Sequence, residues 1–121
     1  MSKPRYDWWS YVKGMIFRYS KRKSEKWMAP SIDLSDRNAI REYIRNLPVE
    51  KREIEAVRFA VLETMGKPTG KERLQVVRQV LMDKTHTLDG AAYLVPCHYK
   101  TAQQWQSEFI KLVAWYFTLV E

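Results

Sequence analysis

Thr87 to Gln106 reads TLDGAAYLVPCHYKTAQQWQ, and its spacing decides the fold. Leu88, Ala91, Ala92 and Leu94 fall on one side of a short helix. Pro96 stops that helix, because proline lacks the amide that the next turn needs, and Ala102 and Trp105 resume an inward spacing in a second helix. Small side chains at Ala91 and Ala92 let two helices cross closely, as a pair joined by a short turn requires. The outward side of the second helix then carries Tyr99, Lys100, Thr101, Gln103 and Gln104. Amides and an ammonium match the donors and acceptors on base edges in the major groove, so the stretch reads as a helix-turn-helix facing double-stranded DNA.

The flanking sequence supports an all-α chain. Lys67 to Gly70 makes a turn, Lys71 to Met82 a helix with Leu74, Val77, Val80 and Leu81 inward, and Thr87 caps the helix after it. Beyond Trp105 the second helix continues through Phe109, Leu112, Val113 and Tyr116, while Ile110, Ala114, Trp115, Phe117, Leu119 and Val120 occupy its other sides. A helix apolar all round is buried on more than one face. Either the amino-terminal helices wrap it or a second copy covers it, and a homodimer through this helix is the preferred expectation.

Further upstream, Trp8, Val12, Met15, Ile16 and Tyr19 have helical spacing within a first helix expected over Lys3 to Tyr19, with Pro4 near its start. Its aromatic residues have two readings, as core or as a stacking surface for nucleic acid. A connector through Pro30 leads to a helix expected over Asp36 to Asn46, capped by Ser35 or Asp33, with Ile40, Tyr43, Ile44 and Leu47 inward. Pro48 starts a third helix with Ile54, Val57, Val61, Leu62 and Met65 as its inward stripe, and Gly66 ends it as a left-handed cap. The segments divide into supporting helices over 1–69 and the helix-turn-helix with its long second helix over 70–121, in one compact unit.

Charge is unevenly placed in this chain of 121 residues and net charge +7. From Met1 to Met28 there are 8 Lys or Arg against 2 acids, whereas Lys84 to Glu121 holds 3 of each. The helix pair thus has little charge of its own for phosphates, and the basic run Lys21, Arg22, Lys23 and Lys26 is the candidate to supply it. The alternative for that run is an ordinary solvated surface. One cysteine excludes an internal disulfide, and without a cleavable leader pattern the expectation is the cytoplasm. The most apolar run, Phe109 to Val120, is too short to span a bilayer and contains Lys111.

Enzymatic chemistry finds little support. Cys97, His98 and His86 do not form a zinc-binding spacing, and Cys97 reads as a small hydrophobe. GKPTGKE over 66–72 lacks the order of a phosphate loop. Glu50, Glu53, Glu55 and Glu63 sit beside Lys51, Arg52 and Arg58 and read as a salt-bridged surface rather than a nuclease centre. No cofactor, metal or catalytic residue is expected.

The run from Thr87 to Trp105 resembles the helix-turn-helix of sigma factor region four, whose pattern T-L-E-E-I-G-x-L-L-G-V-S-x-x-x-V-x-Q-I lies over it without a gap. Thr87, Leu88, Leu94 and Gln104 coincide, Asp89, Val95, Cys97, Ala102 and Trp105 are similar in kind, and Pro96 stands where the family has its turn glycine. Glu72, Arg73, Leu74, Val77 and Arg78 in GKERLQVVRQV follow the rhythm of the helix that precedes the motif. LPVEKREIEAVRF over 47–59 shows a similar rhythm but lies too far from Thr87. The resemblance spans Gly70 to Phe109 and implies duplex DNA and RNA polymerase as partners, with His98, at the family's capping serine, capping the second helix or facing phosphate. Size and the basic aromatic amino terminus also resemble small phage late-gene regulators of the ArpU and RinA kinds. The expected function is a sequence-specific DNA-binding transcription regulator, and the rival is a helical adaptor for RNA polymerase or phage assembly that recognises protein.

Overall fold

The computed structural model describes residues 6–22 and 27–120. It is all-helical among them: α1 (Trp9–Arg22), α2 (Arg37–Arg45), α3 (Val49–Met65), α4 (Gly70–Val77), α5 (Leu88–Leu94) and α6 (Tyr99–Tyr116), with a π-helical turn over Arg78–Met82 prolonging α4. The expected start of the first helix at Lys3 and Pro4 lies outside the described residues. No helix among the described residues is long and apolar enough to cross a membrane.

α6 is the axis, and all five other helices pack against it. Its apolar residues point in several directions because different directions meet different neighbours: Phe109, Ile110, Val113, Ala114 and Tyr116 are buried within the chain. One cluster joins Val12, Met15 and Ile16 of α1, Ile40 and Ile44 of α2, Val57, Phe59 and Ala60 of α3, and Phe109, Ile110, Val113 and Tyr116 of α6. Phe59 is its aromatic centre, with the rings of Trp27, Tyr43 and Tyr116 at 5.9, 6.5 and 6.2 Å. Trp8, Trp9 and Tyr19 pack against this cluster, which assigns the aromatic stripe of α1 to the core. A second cluster consists of Val76, Ala91, Ala92, Val95 and Ala102, between α4, α5 and the first turns of α6.

Local chemistry sets the helix ends, and in places differs from expectation. α2 is capped by Asp36, whose carboxylate accepts from the amides of Asn38 and Ala39 at 3.0 and 3.2 Å. Asp33 and Ser35 bond to each other in the turn before it. Gly66 closes α3 at φ −76°, a right-handed conformation rather than the left-handed cap expected. The demanding glycine is Gly70: a Cβ there would lie 2.3 Å from the carbonyl oxygen of Thr64, so only glycine lets α4 start against the end of α3.

The inward face of α3 is rotated from the expected stripe. Glu53, Ala56, Val57, Ala60 and Thr64 are buried, while Leu62 is exposed and Met65 is 60% exposed. Glu53 is inside because it is fully partnered: Tyr11 donates its hydroxyl at 2.5 Å, and Arg18 and Arg22 approach at 3.3 and 3.4 Å. Glu55 accepts from the Trp27 indole at 3.0 Å and from Arg58 at 2.8 Å. Glu63 accepts from Tyr116 at 2.6 Å and from Arg37 at 2.8 Å. Of the acids read as a salt-bridged surface, Glu55 forms such a pair with Arg58 on its own helix, whereas Glu53 and Glu63 are tertiary anchors joining α3 to α1, α2 and α6.

Candidate nucleic-acid interface

α5 begins at Thr87, whose hydroxyl accepts from the amide of Gly90 at 3.1 Å as expected of a cap. The helix is short, and its buried side is Ala91 and Ala92, followed by Val95. Leu94, expected inward, is 49% exposed, and Val95 takes its place in the cluster. The cause is the helical register: Val95, whose amide donates to the carbonyl of Ala91 four residues back, continues the face of Ala91, and Leu94 falls to its side. Cys97 is half-buried against the same cluster. Its amide donates to the carbonyl of Ala92 at 3.1 Å, which fixes the turn leading into α6.

Ala102 at the junction is fully buried, so the first turns of α6 lie close against α5. This contact turns Tyr99, Lys100, Gln103 and Gln104 outward, all of them exposed, with Thr101 half-buried at the edge. His98 occupies the cap position of α6 but makes no side-chain capping bond, and its ring is exposed. Gln104 donates to Glu108 at 3.1 Å and is tied along its own helix, whereas Gln103 bonds to no described side chain. Trp105, expected as a core anchor, is half-buried, and Arg73 lies over its ring at 5.6 Å while donating to Glu108 at 2.5 Å. Burial raises the pKa of Glu108, but the hydrogen bonds from Arg73 and Gln104 outweigh it and hold the carboxyl below its ordinary value.

Of the proposed arm residues, the two described ones diverge. Arg22 turns inward to Glu53, and Lys21 is exposed with its ammonium 5.2 Å from the Phe17 ring. Lys23 and Lys26 lie outside the described residues.

Sequence reading missed the other flank of α6. The π turn ends with the amide of Asp83 donating to the carbonyl of Arg78 at 2.7 Å, and the next residue, Lys84, takes φ 53°. That left-handed conformation crowds Cβ against the carbonyl at about 1–2 kcal/mol for a residue other than glycine. The carbonyl of Gln79 then accepts from the amides of both Thr85 and His86, at 3.0 and 3.2 Å, locking the link to α5. Lys84 consequently lies over the Phe17 ring at 4.3 Å. Between α1, the π turn and α6 runs an open cleft of about 510 Å³ lined by Ser10, Lys13, Lys84, His86 and Gln106 among others. The spacing of Lys13, Phe17 and Lys21 on α1 was a legible signal for this side, since residues four apart share a helix face.

Comparison of the chain with known protein families, with curated proteins and with solved structures finds no match.

Proposed function

We propose that α5 and α6 form a helix-turn-helix and that the protein is a sequence-specific DNA-binding regulator of transcription. The observation that carries the reading is the division of α6: its first turns hold small residues against α5 and leave Tyr99, Lys100, Gln103 and Gln104 exposed on a rigid helix. A helix of this kind fits the major groove, where an amide side chain recognises adenine through paired donor and acceptor. The similarity of Thr87 to Trp105 to sigma region four supports the same reading, and size with the basic aromatic amino terminus extends it to late-gene control of the phage type.

The rival reading, an adaptor that binds protein, is favoured by one feature. Tyr93 is 85% exposed beside the half-exposed Leu94 and Tyr99, so an apolar patch flanks the turn. Selection of bound sequences from a random duplex pool separates the two. A regulator enriches a defined motif, and Gln103→Ala relaxes one or two of its positions at about 1–3 kcal/mol each without changing the melting temperature. Gln104→Ala has the weaker effect, because Glu108 already holds that amide. A pool left random, together with loss of a polymerase contact on Tyr93→Ala, decides for the adaptor.

A further inference from the structure

We infer that Lys13, Lys21 and Lys84 form a ridge that grips the phosphates of one duplex strand beside α6. This inference rests on the DNA-reading role of α6. Lys13 and Lys21 stand on one face of α1 on either side of Phe17, and the Lys84 and Lys21 ammonium groups lie 4.3 and 5.2 Å from the centroid of that ring. All three lysines are exposed and none is in an ion pair with a described residue. Among the described residues, no carboxylate lines the cleft that runs from Lys13 and Lys84 to Gln106. The opposite flank of α6 differs, since Arg73 there is neutralised by Glu108.

The ridge lies where a strand must pass. Gln106 is one helical turn beyond Gln103, about 4.5 Å along the axis at 1.5 Å per residue, so the cleft opens beside the exposed amide. A major groove about 12 Å wide that receives Gln103 and Lys100 brings its bounding strand alongside the helix. On this flank that strand meets ammonium groups together with the donors Ser10 and His86. The left-handed Lys84 and the π turn before it are departures of the kind that collect at binding sites.

Salt dependence of duplex binding tests the ridge. Log affinity against log salt is measured by fluorescence anisotropy on the intact protein, with a selected and a scrambled duplex. Each phosphate contact contributes about 0.9 to the slope, so K13Q/K21Q/K84N should flatten it by about 2 to 3 and weaken both duplexes by the same factor. Asparagine is used at Lys84 because it tolerates the left-handed backbone. K13R/K21R should keep the native slope, and Lys51→Gln on α3 should leave it unchanged. If the triple variant melts early, the single variants Lys13→Gln and Lys21→Gln on their exposed face take its place, each flattening the slope by about 0.9.

An unchanged slope in the triple variant, or in both single variants, or an equal loss from Lys51→Gln, overturns the ridge while the DNA-reading role stands. Absence of any salt-dependent duplex affinity in the native protein overturns both. Inorganic phosphate at matched ionic strength should compete no better than chloride, and saturable binding of it would overturn the assignment to a strand.

Discussion

Met15, Ile16, Ile44, Phe59 and Tyr116 fill the space between α1, α2, α3 and α6, whereas Val76, Ala91, Ala92, Val95 and Ala102 fill the space between α4, α5 and α6. Bulky side chains bury much area and hold their helices apart, so the first cluster supplies most of the stability. Alanines bury little area but bring backbones close, so the second sets where the outward face of α6 points. One helix serves both: its carboxyl half is an anchor, and its amino half is carried on that anchor as a probe.

Cutting into the large cluster should give the greatest loss. Phe109→Ala should cost about 3–5 kcal/mol in urea unfolding, the range for emptying an aromatic core site. A cost below about 1 kcal/mol, the centre of the range for substitutions in general, would show that the cluster does not carry the fold.

Filling the small cluster sharpens the contrast. Ala102→Leu should cost about 1–3 kcal/mol through overpacking, yet disturb duplex selection more than Phe109→Ala does at equal folded fraction. Full selectivity in the leucine variant would separate the alanine contact from the aim of α6.

The smallest effect needs no substitution. Burial, then the hydrogen bond to Glu63, pushes the Tyr116 phenol from 10.0 up to about 12, against a lowering by Arg37. The folded state therefore favours the neutral phenol. Its contribution is complete below pH 10 and is lost as the pH rises through about 12. With allowance for screening by solvent beside Arg37, the loss is about 1–2 kcal/mol. Tyr11 and Tyr43, also raised mainly by burial, act in the same direction. Unfolding midpoints followed across this range should fall in native protein and fall less in Tyr116→Phe; parallel curves would refute the assignment.

The helices were legible in the sequence where apolar spacing and local caps agreed. Asp36, Asn46 and Thr87 mark ends at or next to those expected, and the alanines of α5 disclosed its close contact with α6. α3 was misaligned because periodicity places Glu53 outside, and nothing in the spacing shows that Tyr11, Arg18 and Arg22 will meet it. The outward residues of α6 were legible for the same reason as its inward ones, by elimination around a helix. The cleft beside them was not, because it depends on a π turn, whose five residues RQVLM carry no distinctive composition.

That turn constrains the length of the chain. Val80 within it packs against both clusters, so the turn is shared between anchor and probe. Its wider turn takes in one residue more than an α-helical turn, the amide of Asp83 reaching five residues back to the carbonyl of Arg78. Inserting a residue into the regular α4 before it, with no second wide turn to absorb the extra length, would swing everything beyond by about 100°, one residue's rotation at 3.6 per turn. Lys84 would leave Phe17, and Ala91 and Ala92 would lose their register against Ala102. Loss of one residue within Arg78–Met82, by contrast, would close the turn to ordinary α-helical spacing and leave the direction of the chain beyond it nearly unchanged, so among natural variants this turn is the place where the residue count should differ by one.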